Sequence, residues 1–532
     1  MTEQSVLEST LEIFSQRGIT KIFGNPGSNE IPFLAGLGSD IEFVLGLHEQ
    51  VVLGLAEGYS RATGQAALVN LHAASGTGNA MGALTNARYG HVPIVVLAGQ
   101  QVRRTVGQEV MLSNVDATLL PQPLVKYSHE PLAPEDVPRT LSQAIIQANT
   151  HPRGPVYVSV PLDDWATPAL ESDRLLGART VTDFSGLDEA ALRSLASELD
   201  GAKRLAIVVG PQVDAAAVVD ASVFDAVVEL AERLDAAVFI APSPDRCSFP
   251  TTHPNFAGVL VPGIRSVQER LADSDAVLVL GSAVFRYHRW EPGPYLSEGG
   301  RVIQITQDHR EAARAPYGSS YIADVGVVTG QLANAVADRG RRRGQPGSRV
   351  FPEPLRSEHG MTGSQILAVL NEQVTDAVAY VNETTTLDLD YLERIAIDRP
   401  GMYHFPASGG LGFGLPVAVG LALGAPEKTI VATVGDGSAN YGISALYTAA
   451  EHQTRTIFVI VNNGGYGALA GFASRMGAEQ VPGLTLREID FVSLAEGYGV
   501  PASRVSSRDE FARAYAAALS AVGPVLIDAR VT

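Results

Sequence analysis

Cysteine occurs once in 532 residues, at Cys247. One thiol permits neither an intramolecular disulfide nor a multi-cysteine metal site, and favours an intracellular, cytoplasmic protein. Basic residues are in deficit, 39 Lys and Arg against 57 Asp and Glu, leaving a formal charge of −18. No general positive field attracts phosphate backbones, so nucleic-acid binding is not expected; an acidic small molecule stays admissible because local charge governs a pocket. No uninterrupted apolar run of about 18 to 20 residues occurs, so no membrane span is expected. Met1 to Gln16 carries Glu3, Glu8 and Glu12 and lacks the basic segment and apolar core of a secretory signal; it reads as an amphipathic helix. Two nucleotide signatures are also missing. The glycine clusters have neither the lysine and hydroxyl of a Walker loop nor the G-x-G-x-x-G spacing of a dinucleotide turn, and no FAD is expected.

Glycine is abundant, 53 residues beside 45% hydrophobic ones, as in a folded α/β protein with many tight turns. The length suggests about three domains. The first, 1–182, opens with a helix bearing Leu7, Leu11 and Phe14, stopped by Gly18. Strands follow at Thr20–Phe23, Ile41–Leu47, Ala66–Leu71 and Pro93–Ala98, with helices near Gln50–Ala62 and Asn79–Tyr89. The second, 183–340, has candidate strands at Leu205–Val209, Ala236–Ile240, Ala276–Leu280 and Arg301–Ile305. The breaker-rich stretch Asp338–Gly347 reads as a solvated linker to the third, 341–532. Gly154-Pro155-Val156 and Gly523-Pro524-Val525 echo one another near the ends of the first and third blocks, consistent with similar topology. The fold class is therefore α/β, with parallel sheets flanked by helices.

The densest chemistry lies in Gly435-Asp436-Gly437-Ser438-Ala439-Asn440 and Asn462-Asn463-Gly464-Gly465-Tyr466-Gly467. Thr429–Val434 reads as a strand, Ser438–His452 as a helix and Thr456–Val461 as a strand. A right-handed crossover brings both clusters to the carboxyl ends of neighbouring parallel strands, where open α/β sheets bind ligands. Asp436 then offers a carboxylate, Asn463 an amide oxygen and Gly465 a carbonyl. Hard oxygens with positions left for phosphate and water suit Mg²⁺. Gly435, Gly437 and Ser438 let the backbone and its N–H groups face a diphosphate. Two ordinary βα turns would also fit this stretch alone.

A second set lies in the first block. Asn25-Pro26-Gly27-Ser28 forms a rigid turn whose Ser28 hydroxyl can orient a carboxylate, or simply cap a helix. Glu49 suits a helix amino terminus, or proton exchange with a cofactor nitrogen. His72 ends a strand in a position fit for an acid or base. His288, among aromatics in Phe285–Trp290, can protonate a carbon centre in a dry pocket or serve as a hydrogen-bonding loop residue.

Through FGNPGSNEIPFL, NLHAASGTGNAMGAL, VFRYHRWEPG, GGLGFGLP, VGDGSANYGISAL and NNGGYGAL the chain resembles, over essentially its whole length, the thiamine diphosphate-dependent 2-oxo acid decarboxylases. The glycine-aspartate-glycine turn followed by paired asparagines is moderately specific to thiamine diphosphate enzymes, and the first three stretches narrow the choice. The resemblance implies a three-domain thiamine diphosphate-binding fold and Asp436, Asn463 and the Gly465 carbonyl as ligands of Mg²⁺, with Ca²⁺ able to substitute. It implies that Glu49 reaches the aminopyrimidine from a neighbouring subunit in a homotetramer, and that Leu411 supports the cofactor from beneath. Asn25 would join the cofactor site. Ser28, His72 and His288 resemble the polar catalytic residues, and Met111, Leu112, Phe405, Ala468 and Phe472 the wall around an aryl group. Met111 stands where the family pattern has leucine, which leaves the tolerance for ring substituents open. The implied reaction is nonoxidative decarboxylation of benzoylformate to benzaldehyde and CO₂. A decarboxylase of a related 2-oxo acid, a carboligase forming acetolactate and a noncatalytic cofactor-binding protein are the alternatives.

Overall fold

The structure is a computed structural model that describes residues 4–183, 185–288, 291–340, 343, 349–478 and 480–532. Met1–Glu3 of the amino-terminal segment, Arg289 and Trp290 of the aromatic loop, and most of the expected linker lie outside the described residues.

Three six-stranded parallel sheets organise the chain. The first contains β1 (Lys21–Gly24), β2 (Glu42–Leu45), β3 (Ala67–Leu71), β4 (Ile94–Gln100), β5 (Tyr127–His129) and β6 (Val156–Pro161). The second contains β7 (Leu205–Val209), β8 (Ala237–Ile240), β9 (Phe256–Val259), β10 (Ala276–Leu280), β11 (Arg301–Thr306) and β12 (Ser319–Ile322). The third contains β13 (Val378–Glu383), β14 (Tyr403–His404), β15 (Thr429–Gly435), β16 (Thr456–Asn462), β17 (Ala502–Val505) and β18 (Val525–Arg530). Their central strands are buried on both faces, which is why they read as unbroken Val/Ile/Leu runs rather than alternating ones.

The outer sheets share one plan. Strand order runs β2-β1-β3-β4-β6-β5 in the first and β14-β13-β15-β16-β18-β17 in the third, so the two Gly-Pro-Val echoes enter β6 and β18, which hold the same place in each. The central sheet runs β12-β11-β10-β7-β8-β9, the doubly wound order that reverses between its first and fourth strands.

The helix Glu49–Thr63 after β2 and the helix Gly414–Gly424 after β14 occupy equivalent positions in their units and pack on one another. Glycine permits the approach: a Cβ on Gly58 would lie 2.1 Å from the Val417 carbonyl oxygen, and one on Gly420 2.0 Å from that of Leu55. Arg61 on the first of these helices is fully buried and bridges Glu57 (2.9 Å) and Asp245 (3.0 Å), tying the central unit to this pair.

Local departures from the sequence reading have physical causes. The first helix, Val6–Gln16, is held by a Ser5/Glu8 capping box and buries Val6, Ile13 and Phe14, while Leu7 and Leu11 sit at the margin. The expected helix over Ser438–His452 is two, Asp436–Gly442 and Ala445–Glu451. The break falls where Gly442 is pressed against Pro416, with a Cβ there only 2.9 Å from Pro416 Cδ. The helix expected from Asn79 begins at Ala73, since its first turns are small residues that look like loop. Among the described residues no helix is long and apolar enough to cross a membrane.

Candidate active site

β15 and β16 pair in register to their ends, Gly435 opposite Val461, which sets the two glycine clusters side by side. Asp436 is buried and takes amide hydrogens from Gly437 on Oδ1 (2.9 Å) and Gly464 on Oδ2 (2.8 Å). Burial pushes its carboxyl above the ordinary value against those amides. The Asn463 side-chain amide faces the Asp436 carboxylate and the Gly465 carbonyl, its NH₂ donating to Asp436 Oδ1 at 3.2 Å and to the Gly465 carbonyl at 2.8 Å. Turned over, the amide would set its oxygen beside theirs, an arrangement of three acceptors that only a cation holds. A cavity of about 270 Å³ lies against this turn, lined by Gly435–Ser438, Asn463, Gly465 and Tyr466 and by Thr384–Thr386. Gly437 keeps it open: a Cβ there would stand 2.5 Å from the Tyr466 ring.

Leu411 lies in a glycine turn with positive φ at Gly409 (+76°) and Gly412 (+92°). Its carbonyl accepts from Gln50 Nε2 at 3.0 Å. The following amides of Gly412, Phe413 and Gly414 donate to the buried Glu383 carboxylate at 2.6, 3.3 and 2.7 Å. Burial pushes the Glu383 carboxyl up to about 7, the three amides pulling the other way.

In the first unit Glu49 is buried at the start of its helix, accepting from Asn25 Nδ2 (3.2 Å) and Asn79 Nδ2 (2.9 Å). His72 Nδ1 lies 2.9 Å from Oε2 of the buried Glu30, whose carboxyl burial pushes upward. Gly27 and Gly99 make room for this pair: a Cβ on the first would meet His72 Nδ1 at 2.0 Å, one on the second Glu30 Oε1 at 1.9 Å. Ser28 is exposed on the same turn. The Leu112 carbonyl accepts from Asn29 Nδ2 (3.2 Å) and the Met111 carbonyl from Gln101 Nε2 (2.9 Å), yet their side chains are 39% and 84% exposed.

His288 stands edge-on to Phe472, ring centroids 5.0 Å apart at 86°. Arg475 covers the Phe472 ring at 4.5 Å. Ala468 and Phe472 lie on the helix Gly467–Arg475, which begins at the end of the Asn463–Tyr466 turn. Phe405 is half-buried against the central core, its N–H donating to the Asp245 carbonyl. The expected residues thus form two groups. Asn25, Ser28, Glu49, His72, Met111 and Leu112 belong to the first unit. Gly435–Ser438, Asn463, Gly465, Ala468 and Phe472 gather with Leu411 and His288 on the third. Among the described residues no hydrogen bond, ion pair or ring contact within one chain joins the members of the first group to those of the second.

Comparison with known proteins accounts for the division. Residues 4–120 match the N-terminal TPP binding domain of thiamine pyrophosphate enzymes, 192–332 their central domain and 388–529 their C-terminal TPP binding domain. Benzoylformate decarboxylase of Pseudomonas aeruginosa is 44% identical over 99% of this chain and 98% of its own. The chain belongs to the thiamine pyrophosphate enzymes. The structure of a thiamine diphosphate-dependent 4-hydroxybenzoylformate decarboxylase from Rhodococcus jostii RHA1 superposes with a TM-score of 0.96 at 49% identity, covering 99% of both chains. That of benzoylformate decarboxylase from Polynucleobacter necessarius gives 0.95 at 33% identity, again over 99% of both.

As a thiamine pyrophosphate enzyme the chain has a donor set fit for a cation-bound diphosphate: three convergent oxygens, one on a carboxylate that burial leaves short of counter-charge, beside an open cavity. Three polar residues escaped the sequence reading. Glu30 and Glu383 are buried acids at the ends of apolar or turn segments, and an acid closing Val378-Ala379-Tyr380-Val381-Asn382 was the available signal for Glu383. Asn79 sits seven residues beyond His72, where the expected helix began, and nothing in the glycine-rich stretch before it pointed to Glu49.

Proposed function

We propose that this enzyme decarboxylates benzoylformate to benzaldehyde and CO₂ in a site built between two copies of the chain. The observation that carries the reading is His288 held edge-on to Phe472 beside the metal-facing turn, an acid–base group set against an aromatic wall. The likeness to proteins named for benzoylformate and 4-hydroxybenzoylformate supports the same substrate class.

When bound, thiamine diphosphate supplies the electron sink that loss of CO₂ from a 2-oxo acid requires. Asp436, Asn463 and the Gly465 carbonyl would hold Mg²⁺, or Ca²⁺ in its place, and thereby the diphosphate. Gly435, Gly437 and Ser438 would let backbone approach it. Glu49, fixed by Asn25 and Asn79, would hold a proton beside the aminopyrimidine, and Leu411 would lie against the cofactor. Ser28 orients the substrate carboxylate. His72, backed by Glu30, donates to the ketone oxygen, and His288 gives a proton to the carbon that CO₂ has left. Met111, Leu112, Phe405, Ala468 and Phe472 surround the aryl group and exclude water.

Completion by a second copy is supported by four features. Among the described residues the cavity at Asp436 is lined only by third-unit residues, every side-chain partner of Glu49 belongs to the first, and Met111 is exposed. Ser75, Gly78, Asn79 and Gly82 also leave a small-residue face uncovered beside Glu49. A homotetramer made of two such pairs is the assembly expected.

Aldehyde release from benzoylformate, 4-hydroxybenzoylformate and pyruvate tests the assignment. Benzoylformate is expected to exceed pyruvate in kcat/KM by at least about 100-fold, and the 4-hydroxy acid reads the tolerance for ring substituents; absence of benzaldehyde from benzoylformate sinks the reading.

A further inference from the structure

His91 lies between the helix Ala73–Tyr89 and β4, whereas Asp308 and Glu311 lie at the start of the helix His309–Arg314 after β11. First and central units therefore meet here. His91 Nε2 stands 3.7 Å from Asp308 Oδ2 and 3.7 Å from Glu311 Oε1, and one ligand atom from each residue falls within 4.8 Å of the other two. This spacing is not that of a hydrogen-bonded ion pair. His72 closes to 2.9 Å on Glu30 and His151 to 3.1 Å on Asp183 in the same chain, while His91 stays equidistant from two carboxylates.

Each acid uses one oxygen inside the protein and leaves the other facing the imidazole. Asp308 Oδ1 accepts the Arg310 N–H at 2.7 Å. Glu311 Oε2 accepts from Gln212 Nε2 at 2.9 Å and Thr306 Oγ1 at 3.0 Å. The side chain of Asp308 is only 9% exposed, and among the described residues its Oδ2 faces only His91, whose Nδ1 is buried without a partner. Oriented carboxylates with a spare oxygen each, aimed at one nitrogen, are the supporting arrangement that metal ligands need.

We propose that His91, Asp308 and Glu311 form a second divalent-metal site, taking a transition-metal ion of the Zn²⁺ kind and clipping the first unit to the central one. Ligand bonds of about 2.0 to 2.2 Å set at tetrahedral angles separate ligand atoms by roughly 3.4 Å; the two 3.7 Å spans from His91 need to close by only a few tenths of an ångström, while the two carboxylate oxygens, within 4.8 Å of each other, have further to draw in. The nitrogen ligand selects against Mg²⁺ and Ca²⁺, which prefer oxygen alone. His91 and Asp308 also line a cavity of about 510 Å³ with Gln212, Gln307 and Arg153, leaving room for water or an anion at the open coordination position.

The test uses holoenzyme with thiamine diphosphate and saturating Mg²⁺, titrated with Zn²⁺ by calorimetry, with bound metal counted by mass spectrometry. One Zn²⁺ per chain is expected, raising the melting temperature, with affinity at least tenfold weaker in both His91→Ala and Glu311→Gln. Co²⁺ should give d–d absorption in the wild type that His91→Ala removes. Undiminished Zn²⁺ binding in both variants, or no bound Zn²⁺ in the wild type, overturns the site. Should His91→Ala fail to fold, Glu311→Gln and the wild-type Co²⁺ spectrum decide, and a featureless spectrum overturns it equally.

Discussion

Glu383 shows how a single carboxyl can shape the cofactor-facing turn while titrating near neutrality. Its three amide partners fix the backbone from Gly412 to Gly414, immediately after Leu411. Burial raises its pKa from the ordinary 4.5 to about 7. A raised folded-state pKa means that the native state binds the extra proton between those values. The stability it contributes is complete below about pH 4.5 and is lost as pH climbs through 7, a change of at most about 3 kcal/mol. Glu383→Gln should cost about 1 to 3 kcal/mol at pH 5, since its NH₂ would face the Gly414 N–H. The gap between wild type and variant in urea denaturation should narrow from pH 5 to pH 8, and a constant gap would contradict the titration. This residue also marks the limit of sequence reading at this scale. The placement of Asp436, Asn463 and Glu49 at strand ends and a helix start was legible, because exposed-looking polar residues there demand a reason. Glu383 and Glu30 were not, because their partners are backbone amides and a histidine brought up by distant segments.

At the level of elements the equivalent helices Glu49–Thr63 and Gly414–Gly424 carry the junction of the first and third units, and glycine decides how closely they pack. In an exposed helix interior glycine to alanine usually stabilises by roughly 0.5 to 1 kcal/mol. Gly420→Ala should do the opposite, because the new methyl would lie 2.0 Å from the Leu55 carbonyl oxygen, backbone that cannot swing away. A loss of about 3 kcal/mol or more is expected. Gly330→Ala, in the helix Val325–Ala335 with nothing within 4 Å of the added Cβ, should follow the ordinary rule and stabilise. Opposite shifts in melting temperature check the pair; a stable Gly420→Ala protein would mean that the helices stand further apart. Strands of the sheets were legible because burial on both faces makes them short apolar runs. The break at Gly442 was not, since it depends on Pro416 of another helix. Nor was the glycine-rich start at Ala73, since small residues fit loop and helix alike.

For the whole molecule the repeated sheet plan of the first and third units underlies the proposal that each chain carries two half-sites. Equal strand orders in the first and third units allow one unit of each copy to face the complementary unit of the other across a two-fold axis, so that a pair of chains makes two sites. Co-expression of differently tagged Glu49→Gln and Asp436→Ala chains separates this arrangement from a site within one chain. Each variant alone should retain below about 1% of wild-type activity, since in the proposed site one lacks the proton-holding acid and the other the metal ligand. In a mixed pair one site collects both lesions and the other collects none. Random pairing makes half of the pairs mixed, and each has one intact site of two, so roughly a quarter of wild-type kcat per site should return. Sites confined to single chains would stay dead in every combination, because each chain keeps its own lesion. The KM of the restored activity adds a second check: it should equal that of the wild type, as the surviving sites contain no altered residue.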